Sequence, residues 1–296
     1  MVTARPLRSL LSVPGSSERF MDRARDAGAD GLCFDLEDAV AAADKAAARR
    51  RVAASLPGYP ANGRELWVRP NGPESGLLEA DLDAVVGPGL HGLHLPKVDH
   101  PGDLVRVDHY LTYLERTRDL APGSVRLMAW IESPEGLARI EDICRTVPAR
   151  LTVVSLGSED YTAALGVPRT RDAGELTYAR ARIANAAAAA GIGALDGAET
   201  DFRDPALFEE QARRARSVGF GGKFCVHPGQ IAAAHAVFAP TDEETAWAAR
   251  VVAAFEAQGP DAGAIAVDGA MVDRPVHLRA LRLLGRRPDG EPPSAA

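Results

Sequence analysis

The sequence predicts a single-domain (β/α)8 barrel, and three observations predict it. Short apolar or β-branched runs recur along the chain, each followed by a segment with helical periodicity, the signature of βαβ units and a parallel sheet. Eight such runs can be counted, at roughly 30 residues per step, the length of one strand, one helix and their loops. Polar residues collect just after the runs, at the carboxyl ends of the strands where a barrel assembles its site.

Taken in order, the runs are residues 8–13 (RSLLSV), 31–36 (GLCFDL), 65–69 (ELWVR), 92–95 (GLHL), 125–131 (VRLMAWI), 151–156 (LTVVSL), 192–196 (IGALD) and 223–226 (KFCV). The helical segments between them include 17–27, 43–55, 134–146, 175–190 and 205–218. Two of these carry explicit start signals: Ser133 precedes Pro134, and Asp204 precedes Pro205, placing a capping side chain before a proline at the first helical position. After the eighth run come a helix over 242–258, a turn-rich stretch and a last helix near 276–284. A barrel closes without this extension. The expected organisation is therefore a barrel over 1–235, a helical arm over 236–285 and a polar, proline-rich, disordered tail over 286–296.

Composition narrows the function classes. The 296 residues, 46% apolar, can bury a large core. A formal charge of −7 offers no basic field, which argues against nucleic acid as a partner. No apolar run approaches the roughly 18 to 20 residues of a membrane helix, and the first fifteen residues lack the apolar core and cleavage site of a secretion signal. The expected location is the cytoplasm. Cys33, Cys144 and Cys225 are too scattered for a disulfide framework and form no CxxC spacing. Lysine is scarce: Lys45, Lys97 and Lys223 are the three among 34 basic residues, so each draws interest as a compact point charge.

The strand ends carry the chemistry. They read Pro14-Gly15-Ser16, Glu37-Asp38, Arg69 with Asn71, Lys97, Glu132, Glu159-Asp160 and, after the eighth run, His227. Glu132 and Asp160 end adjacent strands, and hard oxygen ligands in that number suit magnesium or manganese, which keep several waters and take other positions from substrate oxygens. The bland alternative is that each caps the following helix. Glu37 and Asp38 can orient metal-bound water or pair with Lys45 or Arg69, or complement a helix dipole. Arg69 can grip a carboxylate bidentately or stabilise an enolate oxygen. His227, before a proline, reads either as an acid, base or substrate-orienting group or as a loop residue. The glycine-rich stretches GFGGK and GAIAVDGA lack the strand–GxGxxG–helix order of a dinucleotide site.

From about residue 8 to 284 the chain resembles the citrate lyase β-subunit-like, CoA ester lyase branch of the HpcH/HpaI aldolase/citrate lyase family. The resemblance is carried by RSLLSVPGSSERF, DGLCFDLEDAV followed by Lys45 and Arg50, VRPN, LPKV, WIESPEGL, LGSEDYTAALG, KFCVHPGQI and DGAMVDRPV. It implies a magnesium-dependent carbon–carbon lyase acting on a thioester, coenzyme A being part of the substrate, with Glu132 and Asp160 as metal ligands. Arg69 is then expected at the reacting oxygens, with Glu37 and Asp38 organising metal waters. Pro14, Lys45, Asn71, Lys97 and His227 join Arg69 and Glu132 as expected substrate contacts. In CoA-lyase members a C-terminal aspartate from a neighbouring subunit enters the active site; the matching residue here is Asp273, which gives the arm a purpose and implies a homotrimer or hexamer. The proline in VRPN departs from the family pattern and puts the placement of Asn71 in question. The expected reaction cleaves a 3-hydroxyacyl-CoA such as malyl-CoA, methylmalyl-CoA or citramalyl-CoA to an acyl-CoA and an oxo acid. Alternatives are malyl-CoA hydrolysis or a malate synthase-like activity, a citrate lyase β subunit acting on an acyl-carrier thioester within a complex, and a metal-free aldolase with a Schiff base on Lys97.

Overall fold

The computed structural model describes residues 7–60, 62–258 and 263–286. The first six of the fifteen residues read for a secretion signal, and the tail expected to be disordered apart from Arg286, lie outside the described residues. Eight parallel strands close a barrel in sequential order: β1 (Ser9–Pro14), β2 (Gly31–Asp35), β3 (Glu65–Arg69), β4 (Gly92–Leu95), β5 (Arg126–Ile131), β6 (Leu151–Leu156), β7 (Gly193–Asp196) and β8 (Gly222–Cys225). All eight expected strands form, with ends that differ by a residue where they differ at all.

The runs are largely apolar, rather than strictly alternating, because both faces of each strand are covered, as parallel sheets require. One set of side chains, Leu10, Cys33, Trp67, Met128, Leu195 and Phe224, packs as a separate cluster inside the barrel. Alternate residues such as Leu32, Phe34, Leu66, Val68 and Val154 face the helices in a second, larger core. Those helices are α1 (Glu18–Ala24), α2 (Lys45–Ser55), α3 (Leu78–Val85), α4 (Pro101–Thr117), α5 (Pro134–Ala138), α6 (Ile140–Arg145), α7 (Ser158–Leu165), α8 (Thr177–Ala190), α9 (Pro205–Ser217) and α10 (Ile231–Phe238).

The caps read from sequence are present: Ser133 Oγ accepts from Gly136 N at 2.9 Å and Asp204 Oδ1 from Leu207 N at 2.9 Å. The expected helix over 134–146 is instead two, broken at Arg139, whose φ of −106° and ψ of 13° leave the helical region. The break turns Ile140, Ile143 and Cys144 into the core, where α6 packs on α8. Among the described residues no helix is long and apolar enough to cross a membrane.

The chain divides into two compact units, the second beginning at Ala239. That unit holds α11 (Asp242–Glu256), an antiparallel hairpin of β9 (Ile265–Val267) and β10 (Ala270–Val272), and α12 (Arg274–Leu283). Its core is Ala248, Val251, Val252, Val272, Ala280 and Leu281. The hairpin turns through Asp268 and Gly269, both at positive φ (52° and 78°), the conformation an Asp-Gly two-residue turn favours.

Candidate active site

At the carboxyl ends of β2 to β6 lies a cavity of about 780 Å³, lined by residues 37–38, 45, 71–75, 97, 99, 132–133, 160 and 163–164. Of the residues nominated from sequence it brings together Glu37, Asp38, Lys45, Asn71, Lys97, Glu132 and Asp160.

Glu132 leaves β5 buried, 3% exposed, and faces other acids. Its Oε1 accepts the Lys97 amide at 2.5 Å. Burial, and then the charges of Glu37 and Asp160, push its carboxyl up to about 8. Gly157, at the end of β6, makes room for it: a Cβ there would collide with Glu132 Cβ and stand 2.7 Å from Oε2. Lys97 adopts a left-handed φ of 54°, a conformation costing a non-glycine residue roughly 1–2 kcal/mol. This conformation accompanies the bond from its amide to Glu132, while its ammonium donates to Glu37 Oε1 at 2.7 Å and stands 3.8 Å from Asp38 Oδ2.

Beneath Glu37, Arg69 is buried and does not line the cavity. Its Nε donates to Asp35 Oδ1 at 2.8 Å, Nη2 pairs with Asp35 Oδ2, and Nη1 stands 3.0 Å from Glu37 Oε2. The guanidinium lies 4.6 Å from the Trp130 ring, which stacks in turn on His94 and Phe224 inside the barrel. Asp35 and Trp130 escape a reading confined to the strand ends. A signal for them exists in the sequence: Asp35 sits two residues before Glu37, and Trp130 two before Glu132, the spacing that keeps side chains on one side of an extended chain.

Lys45 holds the loop carrying Glu37. Its ammonium donates to Leu36 O at 3.0 Å, Glu37 O at 2.9 Å and Asn71 Oδ1 at 2.6 Å. Asn71 is fixed from the other side by Asp81, which accepts both its amide (2.8 Å) and Nδ2 (2.6 Å). The proline before it is accommodated with Asn71 still at the cavity wall.

Three nominated residues lie elsewhere. Pro14 ends β1 in register with Asp35, outside the cavity lining. His227 caps the turn after β8, its Nδ1 accepting from Gly229 N at 3.0 Å, and stacks on Phe202. His100 does the same at α4, accepting from Gly102 N, so the repeated His-Pro-Gly is a capping device. Asp273, in the second unit, caps α12 by accepting from Val276 N at 3.3 Å.

A metal would fit the Glu132–Asp160 pair. Hard oxygens crowded by a third carboxylate create a charge imbalance that a divalent cation relieves. Among the described residues no three His, Cys, Asp or Glu side chains converge to enclose an ion by themselves. Two ligands leave positions for water and substrate oxygens, as magnesium sites do.

The profile of the HpcH/HpaI aldolase/citrate lyase family matches residues 8–228, the whole barrel from β1 to β8. This chain belongs to that family. Membership of the HpcH/HpaI family makes it a carbon–carbon lyase. It is 38% identical over 283 residues to citrate lyase subunit beta of Escherichia coli K12, covering 95% of this chain and 93% of that one. It is 33% identical over 290 residues to mitochondrial citramalyl-CoA lyase of Rattus norvegicus, covering 94% and 85%. The crystal structure of CitE from Mycobacterium tuberculosis in complex with magnesium, acetoacetate and coenzyme A superposes with a TM-score of 0.78 at 31% identity, covering 97% of this chain and 99% of that one.

Proposed function

We propose that this HpcH/HpaI-family lyase cleaves a 3-hydroxyacyl-CoA, such as malyl-CoA, methylmalyl-CoA or citramalyl-CoA, to an acyl-CoA and an oxo acid. The observation that carries the reading is the buried Glu132 beside Asp160 in a cavity that gathers carboxylates faster than it compensates them. Magnesium, or manganese in its place, would be held by these two residues and supplies electrophilic polarisation of substrate oxygens. The similarity to a CitE crystallised with magnesium and coenzyme A supports this choice.

In the cleavage the hydroxyl proton leaves to a base, and the electron pair of the broken O–H bond becomes the second C–O bond of the oxo acid's carbonyl. The electrons of the broken carbon–carbon bond enter the thioester enolate, whose carbon then takes a proton. Arg69, locked by Asp35 and Glu37 and stacked on Trp130, contributes a fixed positive charge below the reacting oxygens, preorganised so that no rearrangement is needed when negative charge develops. With a divalent ion held by Glu132 and Asp160, Glu37 and Asp38 would be the carboxylates available to orient its waters. In the condensing direction Asp273 of a neighbouring subunit removes the α-proton, which requires an oligomer, a homotrimer or hexamer on the family resemblance. A Schiff-base mechanism on Lys97 is disfavoured: burial pulls its ammonium down, but the hydrogen bond and charge of Glu37 outweigh this and raise it, the opposite of what an amine nucleophile needs.

A second reading, an acyl-carrier thioester as substrate, draws on the 38% identity to a citrate lyase subunit beta. One experiment tests both. Purified protein is given malyl-CoA and citramalyl-CoA with and without magnesium, as wild type and Asp160→Ala, and oxo acid and free thiol are followed separately. Oxo acid dependent on metal and on Asp160 is expected. Thiol without oxo acid means thioester hydrolysis, and no turnover of either ester sinks the free CoA substrate and leaves the carrier-bound one.

A further inference from the structure

Donor counting separates the two cavity lysines. An ammonium has three N–H donors and no acceptor. Lys45 spends all three on the protein, on Leu36 O, Glu37 O and Asn71 Oδ1 at 2.6–3.0 Å. None is left for a ligand. Lys97 makes one short bond, to Glu37 Oε1 at 2.7 Å, and its side chain is 48% exposed on the cavity wall. Six carboxylates line the same cavity, those of Glu37, Asp38, Glu74, Asp99, Glu132 and Asp160. An anionic substrate entering this acidic mouth meets, among the lining side chains, a cation with uncommitted donors only at Lys97.

We infer that Lys97 is the direct contact for an anionic group of the substrate, a carboxylate of the oxo-acid portion or a phosphate of coenzyme A, while Lys45 is a positioning residue that never touches it. The inference rests on the function proposed above. Lys97 serves the site twice. The left-handed backbone points its amide at Glu132, and the side chain adds a positive charge between Glu37 and the open cavity. Glutamine or methionine at position 97 has the same left-handed backbone cost as lysine, so a Lys97→Gln variant removes charge without changing the backbone preference.

The test is calorimetric binding in the presence of magnesium, using pyruvate against its uncharged analogue pyruvamide, and coenzyme A against pantetheine, which lacks the phosphates. Proteins compared are wild type, Lys97→Gln, Lys97→Arg and Lys45→Gln. Lys97→Gln should weaken one charged member by about tenfold or more while its neutral counterpart shifts less than about twofold, and Lys97→Arg should recover most of the loss. A selective loss on pyruvate assigns the carboxylate, and on coenzyme A the phosphate. Lys45→Gln should lower the melting temperature and change charged and neutral ligands alike. Equal weakening of charged and neutral ligands by Lys97→Gln, or no weakening, overturns the inference while leaving the lyase reading intact. Wild type that binds neither pyruvate nor coenzyme A overturns the lyase reading, and this inference with it.

Discussion

Two buried carboxylates in one barrel have opposite surroundings. Asp196, at the end of β7, is fully buried between the Arg180 guanidinium, with Nε and Nη2 each at 3.0 Å, and the Lys223 ammonium at 2.5 Å. Burial pushes its carboxyl up, but Lys223 and Arg180 outweigh this and hold it below the usual carboxylate range. Arg180 also donates to Gln211, and Lys223 to Gly197 O, so the cluster is closed by protein groups. Glu132, almost as buried, has acids for neighbours and one backbone amide for a partner. A buried charge surrounded by opposite charges ties helices to strands. A buried charge surrounded by like charges is an arrangement that a stable fold would discard unless something absent from the chain completes it.

Substitution gives the largest separation between the two. Glu132→Gln should cut lyase turnover by on the order of 10³-fold or more, measured as oxo acid released, because the metal contribution it removes is several kcal/mol. The metal-free variant should melt no lower than the parent near neutral pH, since a carboxyl pushed up to about 8 is already largely uncharged there and glutamine keeps its shape; a clear drop in melting temperature would break the comparison. Asp196→Asn should do the reverse, costing about 3–5 kcal/mol in chemical denaturation by leaving Lys223 and Arg180 unpaired.

Magnesium is the next lever. A hundredfold excess over its dissociation constant should stabilise the wild type by about 2.7 kcal/mol, read from denaturant midpoints, and leave Asp160→Ala unchanged. Equal stabilisation of both would place the ion elsewhere. Acid sharpens the comparison from the side of Asp196. A depressed folded value means that its stabilisation is complete above the unfolded value of about 3.9 and is lost as pH falls through the lower folded value. Denaturation curves between pH 5 and 2 should therefore be less steep in pH for Asp196→Asn by up to about 1.4 kcal/mol per unit below pH 4.

Much of the barrel is legible in the sequence. Three of the eight strands, Glu65–Arg69, Gly92–Leu95 and Leu151–Leu156, fall on the expected bounds because burial on both faces keeps each run largely apolar between more polar flanks. The 17-residue helix Pro101–Thr117 is missing from the expected helices, although Leu104, Val107, Leu111 and Leu114 keep a helical spacing on its buried face. The hairpin after α11 is also readable, since Asp268-Gly269 between short apolar runs is a strong two-residue turn signal. His227 can be read as a cap by noticing that His-Pro-Gly occurs twice, at 100–102 and 227–229. The break at Arg139 is not readable, because it answers to packing on α8, a segment some forty residues further on.

The sequence by itself determined the eightfold repeat and the polar character of seven of the eight strand ends, because both are local: burial fixes the runs, and the polar residues at a strand end are near neighbours along the chain. Only the tertiary structure decided the partners. Glu37 meets Lys97 across 60 residues of chain and Lys97 meets Glu132 across 35, while Lys45, equally eligible on paper, is drawn instead to the backbone of the β2 loop and to Asn71. Those pairings depend on how barrel closure orients each strand end toward its neighbours. A charged residue in a sequence carries no record of how many of its hydrogen bonds the fold will already have used.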